Sequence, residues 1–236
     1  MNLSEKIELA KVKSVEFENQ SAMKLLEWAQ TQFPQLCFAC SFGAEDVVLV
    51  DMLQQFDRST DIFYLDTDFH FKETYQTRDR LSERYGKKFI QVRPKLTPAQ
   101  QASQYGDALW KRNPDLCCEL RKVDPLGEIL QKYDAWITGI RRDQATTRAN
   151  AKKVEYDHKF GLIKLNPLAD WKTNDVWQYI RRNNVIYNPL HDQDYPSIGC
   201  SYCTNPVKPG QDPRSGRWAG AEKTECGLHP HKESRD

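Results

Sequence analysis

The chain is expected to fold as α/β: a doubly wound, mostly parallel sheet with helices on both faces and a mobile C-terminal tail. Three observations carry this expectation. Short apolar runs alternate with segments of helical periodicity between residues 36 and 184. The 236 residues are enough for one large domain with a full core, or one domain and an appendage. From about residue 188 the sequence turns rich in Pro and Gly and loses its periodicity. The expected boundaries are 1–35 for N-terminal helices, 36–205 for the α/β domain and 206–236 for a flexible tail.

Residues 3–33 read as two amphipathic helices, broken near Glu18–Ser21, where Asn19 or Ser21 can cap the second. LCFACSF (36–42) has strand character and runs at once into GAEDVVLVDML (43–53), a helical pattern. DIFYLDT (61–67) is a second strand, and FKETYQTRDRLSERYG (71–86) a helix closed by Gly86. KKFIQVRP (87–94) is a third strand. ELRKVDPLGEILQKY (119–133) is helical at least after Pro125, and AWITGI (135–140) is a fourth strand. DWKTNDVWQYIRRNN (170–184) is a helix with Thr173 as its N-cap. Ligands of doubly wound sheets bind at the carboxyl ends of the strands, and Ser41, Asp66 and Gly139 sit where predicted strands stop.

Lys and Arg total 34 against 33 Asp and Glu, a balance that argues against nucleic-acid binding. A small anion needs only a local cluster of cations. MNLSEKIELAK has no basic-then-apolar signal pattern, and no apolar run approaches the ~20 residues that span a bilayer. The expectation is a soluble, cytoplasmic protein with no membrane partner. In a reducing compartment, seven clustered cysteines point to metal or redox chemistry more than to disulfides.

Four of these form two distant pairs, Cys117–Cys118 and Cys200–Cys203. Adjacent side chains diverge, so two neighbouring thiolates on one zinc at ~2.3 Å would be strained. A cubane offers separate irons, which favours a [4Fe–4S] cluster; a zinc ribbon and free buried thiols are the competing readings. Lys122 follows Cys118 by four residues, placed to couple the charge of such a cluster to that of a substrate.

SFGAEDVVL (41–49) follows a strand and opens a helix, a ready anion site with Ser41 and Gly43 at its turn. It is not a Walker loop, having no GKS or GKT. GIRRDQATTRA (139–149) follows the fourth strand, with Gly139, Arg141, Arg142 and Arg148 suited to phosphate or sulfate. The competing reading is a solvated charged loop. Cys226, in KTECGLH, stands apart from the pairs in a polar, Gly-flanked context and is expected to be exposed. Lys223 and His229 can lower its pKa, Glu225 opposes that, and Arg214 and Arg217 lie upstream. Cys37 and Cys40 read as buried packing in an apolar strand.

Together CCELRKVDPL, GIRRDQATTRA, NPLADW, IGCSYCTNPV, SGRW and KTECGLH resemble the assimilatory adenylyl-sulfate reductases, within the wider phosphoadenylyl-sulfate reductase family. The resemblance runs from about residue 36 to 230. It implies an adenine-nucleotide alpha-hydrolase-like sheet of the PP-loop type, and the two cysteine pairs point to the branch that uses adenosine 5′-phosphosulfate (APS) and binds [4Fe–4S]. Carried over by motif, Cys117, Cys118, Cys200 and Cys203 are cluster ligands and Cys226 the nucleophile. Ser41, Gly43, Asp66, Lys122, Gly139 and Arg141 line the pocket, joined by Arg214, Arg217 and His229 from the tail. The stretch between SGRW and ECGLH reads AGAEKT and lacks the family's tryptophan run.

The implied reaction is reduction of APS to sulfite and AMP through an S-sulfocysteine, with thioredoxin as the dithiol, in sulfate assimilation toward cysteine. 3′-Phosphoadenosine 5′-phosphosulfate (PAPS), alone or beside APS, is the alternative substrate. A less favoured alternative is an ATP pyrophosphatase-type adenylating enzyme, whose SGGxDS-like loop is here SFGAED. A metal-ribbon binding module is a further rival.

Overall fold

A capping box opens the chain. In the computed structural model, which describes residues 1–56, 59–221 and 223–228, Asn2 Oδ1 accepts from Glu5 N–H while Glu5 accepts from Asn2 N–H. This starts α1 (Leu3–Phe17), and Ser21 caps α2 (Ala22–Gln32) through Lys24 N–H.

Strand β1 (Leu36–Ala39) leads into α3 (Ala44–Phe56), and β2 (Asp61–Leu65) into α4 (Lys72–Tyr85), which ends at Gly86 in the left-handed region. After β3 (Ile90–Val92) come the short helices α5 (Pro98–Tyr105), α6 (Leu109–Arg112) and α7 (Pro114–Cys118). A π-helical turn (Glu119–Val123) joins α7 to α8 (Asp124–Leu130), and β4 (Ala135–Ile137) follows. The hairpin of β5 (Val154–Asp157) and β6 (Leu162–Leu165) then precedes α9 (Thr173–Arg182).

The strands line up as β3-β2-β1-β4-β6-β5, all parallel except β5, which pairs antiparallel with β6 at the edge. The sheet is doubly wound, as the alternation of runs predicts. Side chains alternate between its faces. Phe38, Ile62, Ile137 and Ile163 pack with α1, α2, α3 and α9, whereas Cys37, Phe63, Trp136 and Leu162 pack with Leu126 and Leu130 of α8. Both faces are therefore covered, the condition for a parallel sheet. Chain order reverses between β1 and β4, and that reversal opens a crevice at their carboxyl ends.

Several details differ from the sequence reading. Thr173 is the first helical residue of α9 and Lys172 the N-cap; Asp143, from another loop, accepts from Thr173 N–H and Oγ1–H. Helix extends back from Pro125 to Pro114. The hairpin β5–β6 was not foreseen, because charged Glu155 and Lys164 sit in its strands as a cross-strand pair at 2.8 Å. The described residues beyond 188 are irregular but packed, with Leu190, Val207 and Trp218 buried. Among the described residues no helix is long and apolar enough to cross a membrane.

Candidate active site

A cavity of about 790 Å³ fills the crevice. Its floor is the turn after β1. Phe42 takes a left-handed φ of 61° there, a strained choice for a bulky residue, held by packing against Tyr64 and Phe89. The turn brings Ser41 and Gly43 to the cavity wall. Asp46, in the first turn of α3, accepts from Ser41 N–H at 2.5 Å and Ser41 Oγ–H at 2.6 Å. Burial lifts the Asp46 carboxyl to about 6, with the Ser41 hydrogen bonds pulling the other way.

Gly139, at the end of the β4 segment, faces this carboxylate. A Cβ there would lie 2.1 Å from Asp46 Oδ1 and 3.1 Å from Glu45 Cβ, so only glycine lets the β4 loop approach α3. Gly139→Ala is expected to cost about 1–3 kcal/mol of stability and to weaken nucleotide binding as Asp46 is driven off Ser41. Chemical unfolding and a binding titration check this; an alanine variant with unchanged stability and affinity would refute the close approach.

Arg141 lines the same cavity, with its guanidinium 2.8 Å from Glu45 and 3.3 Å from Asp143. Burial alone would raise Glu45's carboxyl, but the Arg141 charge holds it below the usual range. Arg142, grouped with Arg141 in the sequence reading, points away to Glu18 at the end of α1, at 2.7 and 2.8 Å. Asp66 is not on the cavity wall. Its carboxylate accepts from Tyr75 Oη–H at 2.6 Å, from Gln91 and from Asp68 N–H, so it braces the turn after β2.

The two cysteine pairs converge. Cys117, Cys118, Cys200 and Cys203 line one small cavity together with Phe69, Trp110, Trp218 and Lys122. Cys200 is brought in by the turn after β2: Ser201 N–H donates to Phe69 O at 2.7 Å, and Thr67 Oγ1 lies 3.3 Å from Cys200 Sγ. Arg121 ties that same turn to the helix of the other pair. Burial, then the neighbouring thiols Cys118 and Cys200, push the Cys117 thiol up to about 11. Burial, then Cys200 and Cys118, push Cys203 up to about 12. Among the described residues no group of three or more His, Cys, Asp or Glu side chains is placed to hold a single metal ion.

Lys122 lines both cavities and so stands between the thiols and the nucleotide-sized crevice. Burial would lower its pKa, but negative charge at Cys200, Cys226 and Cys118 raises it.

The last described residues close the crevice. Cys226 is half-buried on its wall instead of exposed, because the residues around it are docked. Lys223 pairs with Asp115 and lies 5.7 Å from the Trp218 ring. Arg214 and Arg217 both line the crevice. Arg217 stacks over Trp218 at 4.5 Å and donates to Ser197 Oγ at 3.2 Å. Glu225, read as opposing Cys226, is neutralised by Arg148 at 2.8 Å and Arg214 at 3.0 Å. His229 lies outside the described residues. The sequence reading missed the pairing of Glu225, although an acidic residue beside a lone cysteine in a cation-rich tail was a usable signal.

The sheet, with its cavity at the strand-order reversal, is doubly wound, and its solved neighbours make it of the PP-loop type. The Candida glabrata FMN adenylyltransferase shares that fold at a TM-score of 0.57 and 15% identity, over 95% of this chain and 84% of that one. The family is more specific: residues 35–206 match the phosphoadenosine phosphosulfate reductase domain, and the chain belongs to that family. Curated relatives named adenosine 5′-phosphosulfate reductase are 50% identical, from Shouchella clausii over 92% of this chain and 90% of that protein, and from Bacillus subtilis over 89% and 91%. The phosphoadenylyl-sulfate reductase of Candida auris, solved with phosphate, superposes at a TM-score of 0.74 with 31% identity, covering 84% of this chain and 96% of that one.

Proposed function

We propose that the chain reduces APS to sulfite and AMP, with Cys226 as the nucleophile and an external dithiol as the reductant. The observation that carries this reading is the convergence of Cys226, Lys122, Arg148, Arg214 and Arg217 on one nucleotide-sized crevice. The 50% identical relatives bear the APS name, which favours APS over PAPS; comparing kcat/KM for the two nucleotides decides between them.

The Cys226 thiolate attacks the sulfur of the phosphosulfate, an S–S bond forms, and the sulfur–oxygen bond to phosphate breaks. AMP leaves with the bonding pair, its charge balanced by the arginines and Lys122. The dithiol, thioredoxin in the family's pattern, then attacks Cys226 Sγ and expels sulfite with the S–S pair. Its second thiol frees Cys226, so the dithiol is oxidised by two electrons as sulfate sulfur is reduced to sulfite. For that second step the segment that carries Cys226 must leave the crevice.

Cys117, Cys118, Cys200 and Cys203 fit a [4Fe–4S] cluster by their donor chemistry: four thiols on one cavity, with no carboxylate or imidazole among its walls. When bound, the cluster supplies local charge beside Lys122, while the reducing electrons come from thiols. The setting we infer is cytoplasmic sulfate assimilation toward cysteine.

Incubating the protein with APS and no reductant should leave one sulfonate on the chain, mapped by mass spectrometry to Cys226. A label at another cysteine, or none, would end this reading.

A further inference from the structure

The residue before the nucleophile is held by more groups than a surface glutamate needs. Glu225 accepts from Arg148 Nε–H and Nη2–H, both at 2.8 Å, from Arg214 Nη2–H at 3.0 Å and from Thr147 Oγ1–H at 3.0 Å. The three side chains are 10–15% exposed, so the pair is shielded from bulk water, where exposed pairs contribute little. Arg214 also donates to Thr224 O at 2.9 Å. On the other side of Cys226, Lys159 donates to Gly227 O at 3.1 Å, and Leu228 packs on the Leu126–Trp136 cluster. Gly227 has a φ of +81°, turning the chain between the two attachments.

We propose that Glu225 is an electrostatic latch: a positioning residue that docks Cys226 over the crevice through Arg148 and Arg214 and must release for the reductant to reach the thiol. This rests on the function proposed above. Arg148 and Arg214 also line the crevice, so the carboxylate of Glu225 and the anionic groups of a nucleotide share the same two cations. One consequence is that the latch favours the first half-reaction and opposes the second. A residue that merely stabilised the fold would affect both alike.

The test separates the halves. In E225Q, sulfonate transfer from APS to Cys226 in a single turnover should slow by about tenfold or more, the fold-change expected when a buried carboxylate–arginine pair is broken. Release of sulfite from the pre-formed adduct by dithiothreitol should stay as fast or quicken. Trypsin should cut after Arg217 or Lys223 faster than in the unaltered protein, and E225D should restore part of the transfer rate. Equal slowing of both halves, unchanged tryptic cleavage, or an unimpaired transfer rate would each overturn the latch. Absence of any adduct at Cys226 in the unaltered protein would overturn the function itself and the latch with it.

Discussion

Cys226→Ser should lower sulfite release by more than about a thousandfold, because a serine hydroxyl in place of a thiolate removes the nucleophile outright. The four-cysteine cavity should survive the change. Cys226 lies on the wall of the large crevice, whereas the four paired cysteines line a separate small one. Anaerobically purified C226S should therefore keep the cluster proposed above, read as a brown colour and about four irons per chain, and it should bind AMP as well as the unaltered protein does. Sulfite release assayed with APS and a dithiol gives the first result, and iron analysis and a binding titration give the others. Full activity in C226S would remove the covalent step. Loss of iron in C226S would instead place Cys226 among the cluster ligands and exclude it as a free nucleophile.

That separation of thiols was legible in the sequence because it is a matter of spacing: two close pairs, one lone cysteine in a polar tail, two cysteines in an apolar strand. Burial of Cys37 and Cys40 follows from the same pattern. The parallel core strands were legible too, since β1, β2 and β4 are short apolar runs ending at turn residues. The edge hairpin was not. Lys164 is buried in β6, where Glu155 pairs with it from β5, and a single strand gives no view of its partner. Arg142 shows the other limit. It sits in a motif rich in chemistry, yet Glu18 occupies it. The partners of Arg142 lie 9 and 124 residues away, and pairing over such separations is set by the fold, not by local pattern.

Arg121→Ala should destabilise the protein by about 2–5 kcal/mol, a fall on the order of 10 °C in Tm for a chain of this size. Read in sequence, Arg121 is one more cation beside the cluster cysteines. In the structure it is 1% exposed and its guanidinium donates four ways: to Thr67 O at 2.6 Å, Asp68 Oδ2 at 2.6 Å, Gln101 Oε1 at 3.0 Å and Leu96 O at 3.2 Å. It also lies 4.4 Å from the Phe69 ring centre, a cation–π contact. Alanine would leave Thr67 O and Gln101 Oε1 buried without this donor, each at a cost of about 1–3 kcal/mol before relaxation; Asp68 and Leu96 O are partly open to water. Lysine cannot replace it, because one ammonium does not reach acceptors spread around a planar fork. The consequence extends past stability. Arg121 grows from the π-helical turn that follows Cys117 and Cys118, and it grips the Thr67–Phe69 turn that holds Cys200 and Ser201. It is the strut between the two cysteine pairs. R121A should therefore lose iron along with stability, while R142A, whose partner is on α1, should keep its iron; a Tm and iron content in R121A equal to those of the unaltered protein would show that the pairs are held together by something else.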